Sequence, residues 1–156
     1  MDKKEKGEYM NLLFFLKSKS DVTYIDESNT ARQALETMKH HGFTAVPVIS
    51  AGGRYVGTIT EGDLLWEILK HDPFEYKMSE HIYVKDMIRQ ELNPAARVDT
   101  SMADLLLMAT KQNFIPIIDD RKLFIGIVTR KDILQYYYRL HYVDNNPKEF
   151  MEEYQK

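Results

Sequence analysis

The sequence predicts an α/β (α+β) fold: tandem β-α-β-β-α repeats packed as a pseudo-two-fold pair. Three observations predict it. Residues 46–65 read VPVISAGGRYVGTITEGDLL and residues 115–134 read IPIIDDRKLFIGIVTRKDIL, a constant offset of 69 from Val46/Ile115 to Leu65/Leu134. Six of the 20 aligned positions are identical: Pro47/Pro116, Ile49/Ile118, Gly57/Gly126, Thr60/Thr129, Asp63/Asp132 and Leu65/Leu134. Around each copy, short β-favouring runs alternate with apolar residues at helical spacing. One such unit cannot bury its own apolar faces, but two stacked together can.

The elements follow in order. Residues 1–19 are expected to form an N-terminal helical segment, with Leu12–Leu16 a short amphipathic helix capping the fold. Repeat 1 spans 20–70. Val22-Thr23-Tyr24-Ile25 is its first strand. Asn29-Thr30 can N-cap a helix over Ala31–His41, and Gly42 sits where a C′ glycine ends one. Ala45–Ile49 and Tyr55–Thr60 are strands joined by the Ala51-Gly52-Gly53-Arg54 turn. A helix over Glu61–Lys70 follows, with Leu64, Leu65, Ile68 and Leu69 on its apolar side.

Residues 71–95 connect the repeats, with Val84–Arg89 a turn of helix. Repeat 2 spans 96–140. It starts with an Arg97-Val98 strand, an Asp99-Thr100 cap and a helix over Met102–Gln112. Strands Ile115–Ile118 and Phe124–Thr129 and a helix over Arg130–Tyr138 complete it. Upstream of the hairpins the offset reads as 70, from Thr30/Thr100, Leu35/Leu105 and Met38/Met108, so one residue is missing from repeat 2. In the tail over 141–156, Asn145-Asn146-Pro147 breaks the chain before an amphipathic helix over Lys148–Lys156.

Composition narrows the function classes. The chain has 156 residues, 44% hydrophobic and 29% charged, a normal globular balance. A net charge of −3 argues against generic nucleic-acid binding. With no cysteine, disulfides, thiolate chemistry and cysteine-ligated zinc are excluded. The apolar run Leu12–Leu16 is far too short to span a membrane, and no cleavage site follows it. A cytoplasmic location is expected. His40-His41 are adjacent and cannot share a helix face as zinc ligands do. No nucleophile, acid and base set can be assembled, so an enzyme is not expected.

The motif that carries chemistry is Gly-h-h-Thr-x-x-Asp (h apolar or Thr), at Gly57–Asp63 and Gly126–Asp132, where a strand hands over to a helix. Thr-x-x-Asp at a helix start is a capping box, which is a purely structural device. The same geometry also offers free N–H groups and a partial positive charge to a phosphate. A carboxylate one turn in can accept from both hydroxyls of a ribose. Gly57 and Gly126 are expected to keep that approach clear of side chains. Both readings stand, since a ligand can displace a cap.

The full pattern resembles a cystathionine-β-synthase (CBS) domain pair, or Bateman module, over about residues 20–140. Thr30…Ala34-Leu35…Met38, Val46-Pro47-Val48 and Gly57–Leu65 carry the resemblance. They recur as Thr100…Leu105…Met108, Ile115-Pro116-Ile117 and Gly126–Leu134. Asp104 departs from it, where the family usually places Ala; that reads as a packing detail. The resemblance implies a regulatory sensor that binds an adenine nucleotide and signals to a separate effector protein. It also implies a homodimer; from the charge and the short apolar runs, no nucleic-acid or membrane partner is expected. No cofactor is required.

The resemblance implies phosphate contacts for Thr60 and Thr129, and ribose contacts for Asp63 and Asp132. Adenine is expected against Thr23, Tyr24, Thr44, Ala45 and Val46 in repeat 1, and against Arg97, Val98, Phe114 and Ile115 in repeat 2. The segments around Thr44-Ala45 and Arg130 look most like the subgroup that binds cyclic di-AMP. The retained aspartates favour a free ribose diol, as in AMP, so the linear set AMP, ADP and ATP stands beside cyclic di-AMP. Arg130-Lys131 against Glu61-Gly62 predicts unequal sites, with repeat 2 supplying the phosphate grip. The competing reading is a protein-interaction module whose vestigial sites keep Thr and Asp only as caps.

Overall fold

The computed structural model describes residues 10–89 and 91–142. Seven strands and five α-helices lie in that span: β1 (Lys17–Ser18), β2 (Ile25–Asp26), α1 (Ala31–His41), β3 (Ala45–Ile49), β4 (Tyr55–Thr60), α2 (Glu61–Leu69), α3 (Val84–Met87), β5 (Ala96–Arg97), α4 (Met102–Ala109), β6 (Phe114–Ile118), β7 (Phe124–Thr129) and α5 (Arg130–Tyr142). The mixed β-α-β-β-α order of each repeat is as the sequence predicts. The tail helix expected over 148–156 lies outside the described residues.

Each repeat builds its own sheet. In repeat 1 the order is β2-β3-β4, with β2 parallel to β3 and β3 antiparallel to β4. In repeat 2 it is β5-β6-β7 in the same sense, extended by β1 pairing antiparallel to β7. The two hairpin turns meet, through an Arg54–Leu123 bridge and a Phe124 N–H donating to the Gly53 carbonyl at 2.9 Å.

The two cores are separate, and each is completed by foreign chain. Leu12 and Phe15, from a 3-10 turn preceding repeat 1, are buried among Leu105, Ile115, Ile117, Val128, Ile133 and Tyr136 of repeat 2. Val84 and Met87, from the connector preceding repeat 2, are buried among Ile25, Ala34, Val46, Val48 and Ile59 of repeat 1. So Leu12–Phe15 is a single 3-10 turn followed by a strand, with Leu13 and Phe14 exposed, and the core it covers is that of repeat 2. The connector is strapped down by main-chain bonds: Val84 N–H to the Asn29 carbonyl at 2.9 Å and Ala31 N–H to the Ile82 carbonyl at 2.7 Å. Arg32 on α1 adds ion pairs to Glu36 and Glu80 and lies 5.1 Å over the Tyr76 ring. Tyr55 of β4 donates to the Asn93 carbonyl at 2.6 Å, and burial pushes its phenol up to about 12.

Helix ends follow the capping chemistry, with one correction. Thr30 caps α1 in a full capping box with Gln33, and Gly42 closes it at φ 68°, a left-handed position suited to glycine. The α4 cap is Ser101, not Asp99 or Thr100: its hydroxyl accepts from the Asp104 N–H at 3.1 Å and donates to the Asp104 carboxylate at 2.7 Å. Asp104 is therefore a capping partner rather than a packing detail.

The repeat offset upstream of the hairpins is 71, not 70. Buried Ala34 and Met38 of α1 correspond to buried Leu105 and Ala109 of α4, and Ile25, paired with Val48, corresponds to Ala96, paired with Ile117. Letter matches suggested 70; the buried face decides for 71. Of the apolar residues on α2, Leu64 is buried, whereas Leu65 and Leu69 face outward.

Candidate functional site

The hairpin registers bring the motif to one end of each sheet. Ala45 pairs with Thr60, and Phe114 pairs with Thr129. Thr60 and Thr129 end their strands, and α2 and α5 begin at the next residue. The first amide of each helix is already bonded: Glu61 N–H donates to the Thr44 carbonyl at 3.0 Å and Arg130 N–H to the Asn113 carbonyl at 2.9 Å. Thr60 then accepts from the Asp63 N–H at 3.2 Å, and Thr129 from the Asp132 N–H at 3.1 Å. The capping box predicted for Thr60-x-x-Asp63 is complete, with the Thr60 N–H donating back to Asp63 Oδ2 at 2.8 Å.

Both motif aspartates are buried and faced by a cation that the sequence reading missed. Arg89 Nε donates to Asp63 Oδ1 at 2.6 Å, and Lys17 Nζ lies 3.4 Å from Asp132 Oδ2. The arrangement is pseudo-symmetric. Arg89 follows the connector segment that completes repeat 1, and Lys17 follows the N-terminal turn that completes repeat 2. The carboxylate side chains are only 1% and 3% exposed, while Arg89 and Lys17 are half exposed. Each cation thus offsets a charge that burial alone would disfavour.

The glycines leave room for this closure. A Cβ on Gly57 would overlap the Ile88 side chain, and one on Gly126 would overlap the Lys17 main-chain carbonyl. The covering segments pass directly over Gly57 and Gly126, which also hold φ of 157° and 155°, positive values that side chains rarely adopt.

The expected adenine residues divide. Thr44, Ala45 and Phe114 lie at the motif end of their hairpins, beside Thr60 and Thr129. Val46 and Ile115 are fully buried and serve the cores. Thr23 and Tyr24 lead into β2; the Tyr24 ring meets Phe124 edge-on at 6.3 Å, with Lys19 5.2 Å above it. Arg97 and Val98 do not join the cluster. Arg97 pairs with Ile118 and Val98 N–H donates to the Ile118 carbonyl, at the end of β6 opposite Phe114. With the offset at 71 they correspond to Asp26 and Glu27, and the counterparts of Thr23 and Tyr24 are Pro94 and Ala95.

Repeat 2 also gathers a polar group that no motif announced. Buried Gln112 donates from Nε2 to the Pro94 carbonyl at 2.9 Å, and its main-chain carbonyl accepts from Arg130 Nε at 3.1 Å. Arg130 is thereby pinned beside Thr129, and Lys131 is exposed next to it. At the same place repeat 1 presents Glu61 and Gly62. The charge asymmetry read from the sequence is carried at the two helix starts. Among the described residues no cluster suited to a metal ion occurs, and no helix is long and apolar enough to cross a membrane.

A family profile for the CBS domain matches residues 16–70 and 84–139. The first span begins just after the Leu12–Phe15 turn and the second at Val84, the start of α3. Among curated proteins, an uncharacterised protein of Methanopyrus kandleri is 28% identical over 141 residues, covering 87% of this chain and 68% of its own length. Cyclic di-AMP receptor B of Bacillus subtilis is 22% identical over 121 residues, covering 78% of this chain and 82% of the receptor. The match to the inosine-5'-monophosphate dehydrogenase of Methanocaldococcus jannaschii, 27% identical, spans only 21% of that enzyme. Among solved structures, CbpB in complex with c-di-AMP superposes with a TM-score of 0.75 at 25% identity, covering 92% of this chain and 91% of that one.

Proposed function

Given that the chain belongs to the CBS-domain family, we propose that it is a regulatory sensor of adenine nucleotides that signals ligand state to a separate partner protein. The observation that carries this reading is the doubled cluster at the hairpin ends. In each repeat a strand-ending Thr, a helix start and a buried Asp meet beside Thr44-Ala45 or Phe114. Thr60 and Thr129 then take phosphate and Asp63 and Asp132 take ribose, with adenine against the neighbouring strand ends. Arg130, pinned by Gln112, gives repeat 2 the stronger phosphate grip, because a guanidinium forks onto phosphate. The ligand is cyclic di-AMP, as the CbpB complex supports, or a member of the AMP, ADP and ATP set.

Thermal unfolding against these four nucleotides tests the reading. A ligand at about 100 times its Kd adds about 2.7 kcal/mol. For a chain of this size that raises Tm by roughly 5–11 °C. Arg130→Ala is expected to weaken binding about tenfold or more, the worth of a charge-assisted hydrogen bond. Unchanged affinity would remove the phosphate grip from repeat 2. A panel without any shift selects the second reading, an interaction module with vestigial sites, which the complete capping box of α2 favours.

The sensor is a homodimer in this reading. Leu65, Trp66 and Leu69 on α2 are 51–67% exposed, and Leu134 and Tyr138 on α5 are 61% and 60% exposed. Leu65/Leu134 and Leu69/Tyr138 are repeat equivalents, so each repeat offers a like apolar helix face to a second copy of the chain. Light scattering should give twice the chain mass for wild type and a monomer for Leu65→Glu/Leu134→Glu; a wild-type monomer at micromolar concentration refutes the dimer.

A further inference from the structure

We propose that Arg89 sets the ligand specificity of the repeat 1 site by occupying the acceptor that a ribose diol needs. The proposal rests on the nucleotide reading above. An ionised carboxylate has about four lone-pair sites. Asp63 uses three of them: Oδ2 accepts from the Thr60 N–H at 2.8 Å and the Thr60 hydroxyl at 2.7 Å, and Oδ1 accepts from Arg89 Nε at 2.6 Å. One remains. A mononucleotide presents two neighbouring hydroxyls, 2′ and 3′. A 3′,5′-linked cyclic dinucleotide presents only the 2′-hydroxyl of each ribose, because the 3′-oxygen is esterified. With Arg89 in place, Asp63 can accept from one hydroxyl and not from two.

Access points the same way. The Asp63 side chain is 1% exposed and Arg89 holds Oδ1, so the second hydroxyl of a diol finds an acceptor only by displacing the guanidinium. Arg89 is not held only by Asp63: Ile88 beside it packs over Gly57, and Lys85 and Val84 are bonded to Glu27 and Asn29. Moving the guanidinium therefore works against an anchored segment. The guanidinium also presents positive charge next to Thr60, 3.5 Å from its hydroxyl, which suits a bridging phosphate. Repeat 1 is thus built to take a phosphodiester-linked ribose and to disfavour a free diol.

The test compares AMP with 3′-deoxyadenosine 5′-monophosphate, which differs by one hydroxyl, using calorimetric titration. The protein carries Asp132→Asn so that repeat 2 does not report the diol. With Arg89 present the two are expected to bind within about twofold of each other. With Arg89→Met, AMP is expected to bind about tenfold tighter than its 3′-deoxy analogue, the worth of one restored hydrogen bond to a charged group; AMP binding that appears only with Arg89→Met is the same result. A tenfold preference for AMP with Arg89 in place, or none after Arg89→Met, overturns the proposal. Should Arg89→Met fail to fold, wild-type amide exchange decides: AMP is expected to loosen residues 84–89 and cyclic di-AMP to leave them protected, and equal protection overturns it. Wild type that binds neither AMP nor cyclic di-AMP overturns the nucleotide reading itself, whereas binding without the predicted discrimination overturns only the role of Arg89.

Discussion

Phe15→Ala is expected to destabilise the protein by about 3–5 kcal/mol, as large as truncation of any core aromatic. The residue sits in a one-turn segment that precedes the first repeat. Yet it is 6% exposed, and its ring meets Tyr136 of α5 edge-on at 5.5 Å. Its removal leaves a cavity between α5 and the β6–β7 hairpin, which Leu12 alone cannot fill. Thermal unfolding should show Tm lowered by roughly 6–20 °C. The neighbouring Phe14, half exposed, is the control: Phe14→Ala is expected to stay within about 0.5 kcal/mol of wild type. Amide exchange should rise first in β6 and β7, because Phe15 belongs to their core and not to that of repeat 1. Equal Tm values for the two alanine variants would refute this placement.

Gly126→Ala is the second large effect. A Cβ there meets the Lys17 main-chain carbonyl, which cannot rotate aside as a flexible side chain can. Relief requires β1 to leave β7, breaking the Lys17–Ile127 and Ser18–Gly126 pairing and carrying the Lys17 ammonium away from Asp132. The cost is expected at the upper end of overpacking, about 3 kcal/mol. Gly52→Ala is the control, since its nearest neighbour would be Ser50 Oγ at 3.9 Å. Chemical denaturation of the two variants checks the difference; a Gly126→Ala midpoint equal to wild type would mean that β1 does not lie against β7.

The hairpins and the two closing helices were legible because their repeat is in register and their periodicity is strong. The motif Thr and Asp were legible for the same reason. The Gly57 and Gly126 identities were visible, but their cause was not: a glycine kept for a ligand and one kept for a passing chain leave the same letter. Arg97 and Val98 were misplaced because the offset shifts from 69 to 71 between helix and hairpin, and letter matches at Thr30/Thr100 and Leu35/Leu105 concealed one step of it. Burial of Ala34 and Leu105 reveals the true register. Arg89 and Lys17 had no pattern to betray them. Their ion pairs link non-periodic segments to residues 26 positions back, for Asp63, and across both repeats, for Asp132. Such long-range pairings are set by topology, not by local sequence.

Because the turn before repeat 1 completes the core of repeat 2, and the connector completes that of repeat 1, the duplicated halves are not two beads on a string. A cut in the connector would leave each half holding a piece of the other's interior. The chain closes on itself like two interlinked clasps, so the duplication preserved a shape only by exchanging its edges. Cooperative unfolding of the pair as one unit follows from that exchange, although the two cores touch little.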